Sequence, residues 1–169
     1  VREYGMRCVG PNCLGVVNTH PDIRMDGCFA ESLPERGNIG FVSQSGALGG
    51  GILNILKDLN LGFAQFISIG NQADVNAETA LEYWENEADV EQILLYMESI
   101  QNPANFRKLA SRITKKKPIL ALKAGRSAAG ASAASSHTGS LAGADKAAAA
   151  LLHQSGVIRE FSLQNLFET

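Results

Sequence analysis

Short apolar runs alternate along this chain with stretches whose apolar positions recur every three or four residues. Residues 38–42 (NIGFV) read as a strand and meet Ser43-Gln44-Ser45-Gly46; segment 47–59 then repeats with helical spacing through Leu48, Ile52, Ile55, Leu56 and Leu59. Residues 63–69 (FAQFISI) predict a second strand ending at Gly70-Asn71, and a helix opens at Asn76 or Ala77 and runs to about Glu87. On that helix Ala80, Leu81 and Trp84 share a face, and Tyr83 beside Trp84 is read as packing with it. Residues 92–97 (QILLYM) give a third strand that stops at Glu98. Residues 103–115 form a helix with Phe106, Leu109 and Ile113 inward, 119–123 (ILALK) a fourth strand, and 143–154 an Ala-rich helix. A last short strand at 157–159 precedes a helix that begins at Leu163.

Strands that alternate with helices of this length argue for βαβ units and a parallel sheet. The runs are almost continuously apolar, as expected of strands covered on both faces. The expectation is an α/β three-layer sandwich with a five-stranded parallel, flavodoxin-like sheet in the order 2-1-3-4-5. The first residues do not keep this rhythm. Residues 6–9 allow one strand, GPNCLG follows, and an irregular stretch leads to Gly37. The division predicted is 1–36, the tail of a preceding domain, and 37–169, the sandwich.

Composition changes the picture mainly by exclusion. The chain has 169 residues, 45% apolar and 19% charged, with a net charge of −2, so no basic face for nucleic acid or a membrane surface is expected. Lys115, Lys116 and Lys117 lie just before Pro118 and read as a solvated helix C-terminus that complements the macrodipole. Cys8, Cys13 and Cys28 fit no metal or CxxC spacing; free thiols in a reducing cytoplasm are the simplest account, and no metal site is predicted. No signal peptide or membrane-spanning run is visible, and a chain that opens at Val1 reads as a piece of something longer.

In open parallel sheets, ligands bind beyond the carboxyl ends of the strands. The unusual polar residues fall there: Ser43, Ser45 and Gly46 after the first strand, Gly70-Asn71-Gln72 after the second, Glu98 and Ser99 after the third, Gly125 and the Gly/Ala/Ser segment after the fourth. SQSG before an amphipathic helix suits a bound phosphate, because free amides and the dipole meet at a helix start; it equally suits a plain serine cap. Ser140-Leu141-Ala142-Gly143, before the Ala-rich helix, offers a second such terminus. Of the 21 residues from Ala124 to Ala144, 17 are Gly, Ala or Ser, and the single imidazole is His137. A segment of that composition supports a histidine that moves. Glu98 is placed to fix one tautomer of an imidazole, or is an exposed loop carboxylate. Asp74 either caps the next helix or lines the rim. His20 and His153 have no comparable neighbours and read as structural.

GPNCLGVVN at 10–18, GNIGFVSQSGALGGG at 37–51, SIGNQADVNAETALEY at 68–83, YMES at 96–99, KAGRS at 123–127 and SSHTGSLAG at 135–143 together resemble the acyl-CoA synthetases that form nucleoside diphosphate. These are the ADP-forming acetyl-CoA synthetases, related to the succinyl-CoA synthetase α subunit. The resemblance implies the reaction acyl-CoA + phosphate + ADP ⇌ acid + CoA + ATP. It implies that His137 is phosphorylated and ferries the phosphoryl group, that Glu98 hydrogen-bonds it, and that Ser43, Ser45, Gly46, Gly139, Ser140 and Gly143 cradle the phosphate. Asn12 and Cys13 would lie near the CoA thiol, at the end of a CoA-binding domain. CoA, ATP or ADP and magnesium would serve the full-length protein, with an ATP-grasp domain or β subunit as partner in an oligomer; the fragment alone would not turn over. A ligase-like sensing domain of a protein acetyltransferase is the alternative, disfavoured because His137 and Glu98 are both present. A flavin binder is disfavoured by the lack of an aromatic-flanked loop at the rim.

Overall fold

A computed structural model describes residues 2–30, 33–48, 51–52, 56, 59, 61–125 and 145–169. One seven-stranded sheet runs through it, in the order β2-β1-β4-β3-β5-β6-β7. The strands are β1 Gly15–Asn18, β2 Met25–Cys28, β3 Arg36–Ser43, β4 Phe63–Ser68, β5 Gln92–Met97, β6 Ile119–Lys123 and β7 Ile158–Glu160. The five from β3 onward are mutually parallel and stand in the order β4-β3-β5-β6-β7. The helices are α1 Ala77–Trp84, α2 Pro103–Ile113, α3 Asp145–Gln154 and α4 Leu163–Glu168, with helical turns also at 46–48, 51–52 and 56.

The expected five-stranded sheet is therefore corrected to seven strands. The two additions, β1 and β2, form an antiparallel hairpin that pairs antiparallel with β4, Val17 opposite Phe66. The strand expected at 6–9 is absent, and that segment is irregular. Both added strands are four residues long and lack an apolar period: β2 reads MDGC and is mostly exposed. They exist because β4 offers a free edge, which tertiary pairing satisfies against weak local propensity.

Side chains alternate across the parallel strands and build a core on each face. On one, Val42, Ile93, Leu95, Ile119 and Ala121 meet Leu81 and Trp84 of α1, Phe106 and Ile113 of α2 and Leu152 of α3. On the other, Ile39, Phe41, Phe63, Phe66, Leu120 and Leu122 meet Ile52, Leu56 and α4 through Leu166 and Phe167. Phe41 anchors this second layer, its ring centroid 5.4 Å from Phe63, 5.6 Å from Phe66 and 5.9 Å from Phe167. Each such pair adds about 0.5–1.5 kcal/mol beyond simple burial. Leu59, expected inward, is largely exposed, and so is Tyr83: only Trp84 enters the core, donating Nε1–H to Gln65 Oε1 at 2.8 Å.

Caps set the helix boundaries. Asn76 Oδ1 accepts from Thr79 N, and Asn102 Oδ1 from Asn105 N ahead of Pro103. Lys117 does not serve the end of its own helix; its ammonium donates to the carbonyls of Trp84 and Glu87, where α1 ends. Lys116 and Arg112 instead reach Glu85, with Arg112 bidentate on its carboxylate.

Segment 7–14 crosses the carboxyl edge of the sheet as a strap. Arg7 makes a two-point ion pair with Asp74, whose Oδ2 also accepts from Cys8 N at 2.9 Å. Asp74 thus neither caps α1 nor stands open on the rim; it ties down the strap. Asn71 N donates to Pro11 O, Ala73 N to Gly10 O, and Leu14 N to Ser68 Oγ. Gly70, at φ +49°, lies directly under the strap, where a β carbon would collide with the carbonyl oxygens of Pro11 and Asn12.

Two outcomes test this architecture. Gly70→Ala should destabilise the fold by about 1–3 kcal/mol and lift the strap. In that variant Cys13 should alkylate faster, read by mass spectrometry of the labelled peptide; an unchanged rate would show that the strap tolerates the methyl. Glu78 is buried at the start of α1, where its Oε1 accepts from Asn102 N, and burial pushes its carboxyl above the usual carboxylate range. A raised pKa in the folded state means stability present at low pH and lost as pH rises through that value. Glu78→Gln should therefore stabilise the protein at neutral pH, with the gain shrinking on acidification below the ordinary carboxylate range; urea unfolding at both pH values measures it.

Candidate functional site

The parallel register levels the carboxyl ends of the strands. Ser43 stands opposite Ser68 on β4 and Tyr96 on β5, and Met97 stands opposite Lys123 on β6. The loops that leave these strands therefore meet on one rim, which carries Ser43, Ser45, Gly46 and Glu98.

Ser43 is fully buried, and its hydroxyl turns back on its own loop, donating to Ser45 O at 2.8 Å and accepting from Ser45 N at 3.2 Å. Ser45 Oγ accepts from Leu48 N at 3.3 Å, the geometry of a helix cap. Both hydroxyls thus shape the turn. Gly46 and Ala47 open the helical turn, and a helix start leaves its first backbone N–H groups without intrahelical acceptors.

The strap sits against this turn. A β carbon at Gly46 would lie 3.3 Å from Leu14 N and 3.4 Å from the Cys13 carbonyl carbon. Cys13 and Leu14 are thereby brought beside Gly46, with Asn12 the next residue along the strap. Asn12 adopts φ +56° and donates from Nδ2 to Asn71 Oδ1 at 3.3 Å; Cys13 is half-buried, its thiol directed at Val9 O.

Glu98 follows β5 on the same rim, half-buried, with Oε2 shielded from solvent. Its charge is felt by two neighbours. Burial, then the Glu98 carboxylate, pushes the Tyr96 phenol up. Lys123, 4% exposed, is held below the usual ammonium range by burial, with Asp145 and Glu98 pulling the other way and Arg159 reinforcing the drop. The Lys123 ammonium donates to Ala124 O at 2.7 Å, and Asp145, first residue of α3, is ion-paired with Arg159 of β7.

Two residues here escaped the sequence reading. Gln44, between the two serines, sends its carboxamide to the backbone of Glu98 and Ser99. Lys123 passed as the end of a strand. The signals were present: an amide side chain inside a strand-to-helix turn, and a lysine contiguous with the apolar run ILAL. His137, Gly139, Ser140 and Gly143 lie outside the described residues. Among the described residues no three His, Cys, Asp or Glu side chains group as metal ligands, and no helix is long and apolar enough to cross a membrane. Two clefts of about 440 Å³ each open elsewhere, one near Arg24 and Arg36 and one near Val9 and Tyr83; neither is lined by a predicted site residue.

The chain is similar to several known proteins. The ADP-forming acetate–CoA ligase II α subunit of Pyrococcus furiosus is 46% identical over 92% of this chain and 34% of its own length. The ADP-forming acetate–CoA ligase of Methanocaldococcus jannaschii is 42% identical over 99% of the chain and 23% of its own length. A solved acetyl-coenzyme A synthetase 1 of Ca. Korarchaeum cryptofilum, described as dinucleotide forming and in complex with phosphate and ADP, superposes with a TM-score of 0.93 at 35% identity, covering 99% of this chain and 36% of that one. The chain thus spans about a quarter to a third of the relatives it is similar to. Residues 36–169 match the family described as the succinyl-CoA ligase like flavodoxin domain, and the chain belongs to that family.

Proposed function

We propose that this chain is the phosphoryl-carrying domain of an ADP-forming acyl-CoA synthetase. The carrying observation is the seating of Cys13 and Leu14 on Gly46 of the SQSG turn, on the same rim as Glu98. A thioester held beside Asn12 and Cys13 would then lie next to a phosphate held by the amides of Gly46 and Ala47, with Ser43 and Ser45 shaping that turn. Phosphate oxygen attacks the acyl carbon and CoA leaves as thiolate, giving an acyl phosphate. The neutral imidazole of His137 attacks its phosphorus, the carboxylate leaves, and a phosphohistidine forms. Glu98 accepts the proton on the other imidazole nitrogen and balances the charge that develops. Gly139, Ser140 and Gly143 would complete the phosphate cradle from the second helix terminus. ADP then takes the phosphoryl group and ATP leaves.

In this reading residues 1–36 end a CoA-binding domain and 37–169 are the ligase domain. The nucleotide and its magnesium belong to an ATP-grasp domain or β subunit outside these 169 residues, and the assembled enzyme is a cytoplasmic oligomer. The relatives named as acetate–CoA ligases, and the one solved with phosphate and ADP, support the reaction class.

The full-length protein incubated with γ-labelled ATP and magnesium should acquire acid-labile, base-stable label. His137→Ala should abolish it, and Glu98→Gln should slow its formation by about 10²-fold or more. Equal label in wild type and His137→Ala would refute the phosphohistidine.

A further inference from the structure

We infer that Gln44 is a positioning residue of this site, fixing the Glu98 carboxylate by gripping the backbone on either side of it. The inference rests on the phosphohistidine reading above. Gln44 is 5% exposed and follows the last residue of β3. Its own amide donates to Tyr96 O at 3.1 Å, which seats it against the end of β5. From there its side chain spans to the next two residues. Oε1 accepts from Glu98 N at 2.7 Å and from Ser99 N at 2.9 Å, and Nε2 donates to Ser99 O at 2.7 Å.

The ladder explains why a grip is needed. Pairing of β5 with β6 ends at Met97 opposite Lys123, and Met97 O is taken by Ala124 N. The groups of residues 98 and 99 lie beyond that ladder, and a buried peptide group requires a partner. One carboxamide supplies both halves of what a neighbouring strand would supply, an acceptor for two amides and a donor for one carbonyl. The two amide donors fix its orientation, since only oxygen can accept from them. Glutamate at this position could accept but not donate, leucine could do neither, and asparagine is one methylene short. Gln44 lies between Ser43 and Ser45, so the helix start that would hold phosphate and the carboxylate that would orient the imidazole move as one piece. Misplacement of a catalytic group by about 1 Å costs on the order of 10²-fold in rate.

The test uses the full-length synthetase with Gln44→Leu and the isosteric Gln44→Glu. Each should slow labelling of His137 by about 10- to 100-fold while KM for ADP stays unchanged, because the nucleotide binds elsewhere. In a Glu98→Gln background, Gln44→Leu should cost less than about 3-fold more, since a residue that acts through another has nothing left to position. Labelling at the wild-type rate in both Gln44 variants, or losses that multiply in the double variant, would overturn the assignment. Hydrogen exchange needs no variant: the Glu98 and Ser99 amides of the wild type should exchange far more slowly than open-loop amides, and exchange at open-loop rates also overturns it. Wild type that takes no label sinks the phosphohistidine reading instead, and the exchange result stands apart from that failure.

Discussion

Everything at the rim depends on the register of β3 between β4 and β5. Parallel pairing carries Ser43 to the same level as Ser68 and Tyr96. A slip of one residue would turn Phe41 and Val42 to opposite faces, emptying the aromatic cluster under Phe167 and the pocket beside Trp84. Because both faces of β3 are buried, that slip is prohibitively costly. The same hydrophobic register that holds the core also fixes where the SQSG turn, the loop after β4 and the loop after β5 can be. The site is a consequence of packing far from it.

The strap shows a second kind of control, exerted by polar groups. Segment 7–14 packs Val9 against one core and Leu14 against the other, and polar groups fix the rest of its course. It is tied by Asp74, which takes both Arg7 and the Cys8 amide, by the Ser68 hydroxyl on Leu14 N, and by backbone bonds from Asn71 and Ala73. The Arg7 head group is exposed, so the ion pair itself is worth little; the amide bonds to half-buried partners do more. Small residues at Gly46 and Gly70 let the strap come within van der Waals distance of two turns at once. Glycine at these points is a requirement of contact between backbones, which explains why GPNCLG, SQSG and GNQ occur in one chain.

How much was legible in advance divides along the same line between packing and polar ties. The five parallel strands announced themselves as apolar runs, and their ends as Ser, Gly and Glu, because long buried strands have a period and a composition. The hairpin of β1 and β2 did not, since GVVN and MDGC carry no pattern and are held by the edge of β4. Tyr83 and Trp84, adjacent in sequence, had to fall on different sides of α1, and only the fold decides which side faces Gln65. Asp74 allowed a cap or a place on the rim because it sits between a strand end and a helix, but its partners Arg7 and Cys8 lie more than sixty residues away. Gln44 stood out only as an amide inside a strand-to-helix turn; its partners, residues 98 and 99, are a contact no local pattern records.

The rim is also where the fold accepts charge it would otherwise exclude. Lys123 could have been another Ile or Leu of β6, and its burial is unfavourable to the ammonium. It persists among Glu98, Asp145 and Arg159, two anions and a second cation, so the local sum is near neutral while the Lys123 ammonium itself is buried. Such an arrangement is highly sensitive to one more charge. An anion arriving at the rim would be drawn by Lys123 and repelled by Glu98. A carboxamide at Gln44 suits this setting because it organises Glu98 and Ser99 without adding a charge, where an arginine or a glutamate would shift the balance it is placed to hold steady.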